Sequence, residues 1–207
     1  MIDSDEILKS FKGIAPIFPL PDFVMFPKTA YSFNIFEPRY KALVSDILAG
    51  EKFFCSALLK KGNKNKNAEF YSHGTLCYIL EHSKKENGNY NIIVSGLSKV
   101  SIDEIESNYL YRMVKMKLID DNRIIIEEQL KRKKLINKFI SLITSNDTEA
   151  IEIKSLDTSF ISTEMLTNLA CLVLPLDSKD KQKLLELNDV SLRLDVLCQF
   201  MDSELKV

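Results

Sequence analysis

The stretch PIFPLPDFVMFPKTAYSFNIFEPRY, residues 16–40, limits the possible folds of this chain more than any other. Five of the six prolines fall in it, among seven aromatic side chains and no glycine. Proline has a fixed φ and no amide hydrogen, so it suits strand ends, edges and turns. Pro16, Pro19, Pro21 and Pro27 therefore divide the segment into short extended pieces that cannot gather further strands. The large apolar residues between them must pack inward or form a surface groove, and core is the commoner fate of any one of them.

The texture around this segment is that of an α+β chain, with strands first and helices second. Runs rich in Val, Ile, Phe and Tyr predict strands at IAPIFPL, TAYSFNIF, FFCSALLK, TLCYILEHS, NYNIIVSG, VSIDEI and YRMVKMKLID. KKGNKNKN and KKENGN have hairpin-loop composition, the second with an Asn87-Gly88 pair suited to positive φ. One helix interrupts the strands. Pro38 is pre-organised for its first turn, and Tyr40, Leu43, Val44, Ile47 and Leu48 form its apolar stripe, with Gly50 as the expected stop.

From about residue 127 the apolar period becomes helical, with Leu135, Ile136, Phe139, Ile140, Leu142 and Ile143. Residues 145–160 read as a polar connection. Ser162, then Asp177 or Ser178, then Asp189 are the expected caps of three more helices, and Pro175 ends the first of these. The expected organisation is a β-rich part over 1–121 and a helical part over 122–207.

At 207 residues the chain is long enough for a conventional core. Net charge is −1, with 16 basic against 13 acidic residues up to Leu118 and 12 against 16 thereafter. Neither part has the basic excess of a protein whose main partner is a phosphate backbone, so nucleic acid is not the expected partner. Cys55, Cys77, Cys171 and Cys198 are widely spaced, sit among apolar residues and form no CxxC pair. They read as small buried hydrophobes in a reducing compartment. The N-terminus MIDSDEILKSFKG lacks the order of a signal peptide, and no apolar run is long enough to span a membrane. A cytoplasmic protein without membrane contact is expected.

The residues for common chemistries do not assemble. The six glycines form neither GxxxxGK[ST] nor GxGxxG, so no phosphate cradle is present in the sequence. GxSxG is absent, and Ser98-Lys99, as strand neighbours, should point to opposite faces. His73, Cys77, His82 and Cys55 lack the short spacings of a zinc site, and no metal or other cofactor is expected. The adjacent acids Asp103-Glu104, Asp120-Asp121 and Glu127-Glu128 read as solvated charges rather than a general acid/base pair. Two basic runs remain, Lys60 to Lys66 and Lys131 to Lys134. Neither is interleaved with aromatics, and Glu127 is placed to pair with Lys131 one turn on.

The order PIFPLPDFVMFP, FNIFEPRY, GTLCYIL, NIIVSGLSKVSI and LPLDSKDKQKLLELNDVSLRLDVL resembles the Lon N-terminal domain family, the substrate-recognition domain of an ATP-dependent protease. The resemblance runs from about Gly13 to Leu205 and is looser at Lys99, where the family usually carries arginine. It implies a PUA-like pseudo-barrel followed by a helical bundle, and a non-catalytic module that binds unfolded or damaged polypeptides. It also implies that ATPase and protease modules would follow where this chain stops, so neither ATP nor peptide hydrolysis is expected of it. Pro19, Pro27, Glu37, Pro38, Arg39, Gly74 and Gly96 lie in the matching motifs and are read as structural. Phe23, Met25, Phe26, Tyr31 and Phe33 are the candidate peptide-binding residues, since methionine beside aromatics makes an adaptable apolar surface. Two other readings stand beside this one: an adaptor that docks onto a separate AAA+ ATPase or protease, and a PUA-like binder of a small molecule or RNA.

Overall fold

A computed structural model describes residues 4–60, 68–121, 129–144 and 161–204. The elements in chain order are α1 (Ser4–Lys9), β1 (Ile14–Leu20), β2 (Ala30–Ile35), α2 (Pro38–Leu48), β3 (Phe53–Leu58), β4 (His73–Lys84), β5 (Tyr90–Ile105) and β6 (Met113–Ile119), followed by α3 (Gln129–Thr144), α4 (Thr163–Val173), α5 (Ser178–Glu186) and α6 (Val190–Glu204). Mixed α and β structure in the expected order is thus present. The six-residue α1 was not foreseen from its polar first turn.

The six strands form one sheet in the order β2-β5-β4-β3-β1-β6, and β5 pairs with β6 as well. That extra pairing joins β5, β4, β3, β1 and β6 into a closed ring, with β2 outside it. Only the β1–β3 pair is parallel. The long β5 makes the closure possible. It holds β4 along one edge, while its other edge takes β2 over Tyr90–Ser95 and β6 over Lys99–Ile105. NYNIIVSG and VSIDEI, expected as two strands, are therefore one strand running through Gly96. Register shifts in the β4–β5 ladder at Leu76/Cys77 and Ile79/Glu81 supply the local bend that curvature needs.

Alternate residues of the ring feed two apolar clusters, as a period of two requires. Ala15, Ile17, Phe53, Cys55, Leu76 and Val100 belong to one, against which Ile7, Leu8 and Phe11 of the N-terminal segment pack. Phe18, Phe54, Cys77, Ile79, Ile92 and Val94 belong to the other, which continues without a break into α2 and the C-terminal helices through Leu43, Leu166 and Leu194. All four cysteines are buried, and none is in a disulfide. Burial pushes the thiols of Cys55, Cys77 and Cys171 up, that of Cys171 to about 12, so they remain protonated.

The helix ends follow their caps. The Ser162 hydroxyl accepts from Met165 N at 3.1 Å, Asp177 Oδ1 from Lys179 N at 3.0 Å, and Asp189 Oδ1 from Ser191 N at 2.7 Å. α2 begins with Pro38 in its first turn, but the Glu37 side chain makes no capping bond. Its end is at Ala49 in the right-handed region, and the positive φ of 62° that turns the chain belongs to Lys52, so Gly50 is not a left-handed stop. The connection 145–160, most of the first basic run and the acids Glu127-Glu128 lie outside the described residues.

Candidate functional site

The proline-rich segment crosses the molecule in two parts with different surroundings. Between Asp22 and Ala30 the backbone is clamped on the helix side of the sheet. Thr75 Oγ1 donates to Met25 O at 2.6 Å, Lys28 N to Gly96 O at 2.8 Å, and Gly96 N to Thr29 O at 2.9 Å. A Cβ on Gly96 would collide with the carbonyl oxygen of Phe26, so this approach requires glycine. Gly74 is required likewise, since its Cβ would stand 2.5 Å from Ser56 O. From the other side Asn168 Nδ2 of α4 donates to Pro27 O at 3.0 Å, and Glu164 pairs with Lys28.

This clamp decides which candidate residues face outward. Met25 and Phe26 are 1% and 0% exposed, so they are core and correct the expectation that they belong to a binding surface. Their backbone is held so tightly that the side chains must fill the space beneath. Phe23 and Phe33 are partly buried, and Tyr31 is 42% exposed. These three form an aromatic array, with ring centroids 4.5 Å apart for Phe23–Tyr31, 4.9 Å for Tyr31–Phe33 and 5.3 Å for Phe23–Phe33. Phe36, not singled out from the sequence, is 63% exposed and lines the same cleft as Phe33. Its signal in the sequence was its place between the end of β2 and the Glu37-Pro38 turn.

One cleft borders this array through Phe33, and a second adjoins the first. An apolar one of about 700 Å³ lies between the Pro19–Asp22 turn and Phe33, Phe36 and Leu59. A more polar one of about 660 Å³ lies under the loop carrying Tyr109 and Leu110, which are 60% and 79% exposed. Pro19, Arg39 and Tyr40 line both, so the clefts adjoin along a shared wall. Arg39 is fixed there. Its Nε donates to Glu37 Oε2 at 3.1 Å, and its guanidinium lies 4.4 Å above the Tyr40 ring. Glu37 and Arg39 thus pair with each other at the turn before α2. Pro16 and Pro19 lie within β1 rather than at its ends. Pairing of β1 with β6 stops at Pro16, and beyond that point β1 pairs only with β3, so Pro19 sits where the ring opens onto the clefts. The far side of the second cleft is held by Tyr111, whose hydroxyl donates to Asp46 Oδ2 at 2.8 Å, and by Arg112, which binds both carboxylate oxygens of Glu104. The guanidinium beside it holds the Glu104 carboxyl below the usual range.

On the helix side of the sheet the structure corrects a second expectation. Asp121 is not a solvated charge. Its side chain is 7% exposed, 2.6 Å from Lys99 Nζ and 2.8 Å from Arg193, which are 1% and 0% exposed. Lys99 also donates to Leu187 O at 2.8 Å, and Arg193 to Leu184 O and to Asn168 Oδ1. The chain Lys99–Asp121–Arg193–Asn168–Pro27 therefore ties β5 to α4, α6 and the clamped turn. Burial lowers the Lys99 pKa, while Asp121 opposes that shift. Ser98 bonds to the backbone carbonyl of Lys99 and not to its amine, so the two do not form a dyad. No group of three or more metal-ligating side chains occurs among the described residues. Nor is any helix there long and apolar enough to cross a membrane. Lys131 pairs with Asp195 and Lys134 with Asp202, so these two members of the second basic run are tied to α6.

A profile of the ATP-dependent protease La (LON) substrate-binding domain matches residues 14–203. The Lon protease of Buchnera aphidicola subsp. Schizaphis graminum is 26% identical over 193 residues, covering 92% of this chain and 25% of that protein. For the Lon protease of Escherichia coli K12 the identity is 23%, with the same coverage. The chain spans about a quarter of the length of the curated relatives it matches. Among solved structures, the N-terminal domain of Mycobacterium avium complex Lon protease superimposes with a TM-score of 0.71 at 18% identity, over 91% of this chain and 98% of that one. A Lon N-terminal domain protein from Xanthomonas campestris gives 0.66 at 19%, with the same coverage. At these identities the two structures speak for the fold.

Proposed function

The chain belongs to the LON substrate-binding domain family, and we propose that it is a non-catalytic module that binds unfolded or damaged polypeptide in the paired clefts around Pro19, Arg39 and Tyr40. The observation that carries this reading is the aromatic array of Phe23, Tyr31 and Phe33, with the exposed Phe36 beside Phe33 on the wall of the apolar cleft. Tyr31 and Phe33 lie on β2, an edge strand with a single neighbour. An unfolded chain offers apolar side chains and unpaired backbone, and a cleft of this kind receives both with little demand on sequence. The closed ring is read as a PUA-like pseudo-barrel over 1–121, and the helices as a bundle over 122–207. The two parts share one core. Four buried thiols suit work in a reducing cytoplasm.

The test is binding of the purified chain to a reduced, permanently unfolded model protein, with the native form of that protein as control. Phe36→Ser and Tyr31→Ser are run in parallel, with thermal denaturation as the check on folding. Selective micromolar binding, lost in the folded variants, supports the reading. Equal binding of native and unfolded forms refutes it. A second reading, an adaptor for a separate AAA+ ATPase or protease, draws on exposed Leu130, Met165, Val173 and Leu192 of the helices. Retention of a bare AAA+ protein that survives Phe36→Ser but not Met165→Ser favours it.

A further inference from the structure

The cationic side chains lining the two clefts already have partners. Arg39 is paired with Glu37 at 3.0 Å, Arg112 with Glu104 at 2.5 Å, and Lys60 with Glu69 at 3.1 Å. Two arginines are further held against rings, Arg39 over Tyr40 and Arg112 over Phe70 at 4.5 Å. Two acids are not neutralised. Asp22 in the apolar cleft and Glu106 in the polar one are exposed, and neither has an ion-pair partner among the described residues. Tyr109, beside Glu106, stacks one face on Tyr111 with centroids 5.1 Å apart and remains 60% exposed. Among the described residues the free charges of the groove are therefore negative, and a ring lines the cleft with one of them.

Resting on the polypeptide-binding reading, we propose that the groove selects extended segments whose large apolar side chains are flanked by lysine or arginine, and disfavours segments flanked by acids. An apolar side chain enters between the Pro19–Asp22 turn and Phe36. A neighbouring cation reaches Asp22 on one side, or Glu106 and the Tyr109 ring on the other. An acidic segment meets like charge at both places. The arginines are not free to receive it, because each would first have to leave a carboxylate and a ring. Apolar content then gives binding strength, and flanking charge decides among segments of equal apolar content.

The experiment uses three labelled peptides with one Phe/Leu core, flanked by lysine, serine or aspartate, titrated against the full chain and against the double variant Asp22→Lys/Glu106→Lys. Both positions are exposed, so the variant is expected to fold, and its melting temperature verifies that. The lysine peptide should bind roughly tenfold more tightly than the aspartate peptide at low ionic strength, with serine between, because exposed ion pairs contribute only modestly. The difference should shrink toward unity in about 0.5 M salt. The double variant should reverse the order. Equal binding of all three overturns the charge selection and leaves the polypeptide reading standing. Tightest binding of the aspartate peptide also overturns it. Failure of every peptide, serine included, overturns both.

Discussion

Met25 and Phe26 are 1% and 0% exposed, whereas Tyr31 and Phe36, only a few residues on, are 42% and 63% exposed. Both groups are large and apolar, and both lie in the proline-rich segment. What separates them is the company of their backbone. Residues 25–29 are bonded to β4 and β5 on one side and to α4 on the other. β2 has β5 as its one strand neighbour, and no other described strand pairs with its far edge. Clamping thus assigns one half of the segment to stability and frees the other half for contact. Hydrophobicity, nearly equal in the two halves, assigns neither.

The sharpest way to break this contrast is Phe26→Ala. A ring with no exposed surface, removed beneath a fixed backbone, should cost about 4 kcal/mol, read as a large fall in denaturation midpoint. A loss near that of a surface residue would mean that the clamp is loose. Asp121→Asn comes next, at about 3 kcal/mol, because it leaves Lys99 and Arg193 buried without their carboxylate.

That variant also carries a pH signature. Burial already holds the Lys99 pKa below its ordinary 10.5, against the pull of Asp121. A base with a lowered folded pKa binds more protons when unfolded, so stability rises with pH between the folded value and 10.5. Removing the Asp121 charge widens this window. Asp121→Asn should therefore recover part of its lost stability as pH approaches 10.5, by more than the unmodified chain gains. A flat difference across that range would show that Lys99 reaches water in the variant.

Gly96→Ala should cost about 2 kcal/mol, through displacement of the Phe26 carbonyl from the sheet. Chemical denaturation with an unchanged m-value would place the effect in the folded state. Smallest in stability is Phe36→Ser, expected within ~0.5 kcal/mol of the unmodified chain. Its effect should fall instead on binding of unfolded protein. Stability loss without binding loss at Phe36, or the reverse at Phe26, would erase the division between the two halves.

Much of this architecture was legible locally. β1, β2, β3 and α2 follow from short apolar runs and a stripe at helical spacing, and three helix starts follow from Ser162, Asp177 and Asp189 accepting from the amides they precede. Gly96 misled, because glycine ends strands in local reasoning. Here it continues one, so that another backbone can lie against it. Asp121 misled in the same way. Beside Asp120 it looks solvated, and only two cations from distant parts of the chain make its burial tolerable. Of the five candidate binding residues, Phe23, Tyr31 and Phe33 reach the array, Met25 and Phe26 do not, and Phe36 was passed over.

The amino-acid sequence by itself determined where extended and helical pieces form, because backbone restriction at proline, side-chain period and capping act over a few residues. It also determined family membership, carried by the order of its motifs. Tertiary structure alone decided that β5 closes the ring and that Lys99, Asp121 and Arg193 meet. It alone decided which aromatics of one segment stay at the surface. Lys99 and Asp121 are 22 residues apart in the chain and Asn168 and Pro27 are 141 apart, and burial and charge pairing acquire their energies only when such groups are brought together.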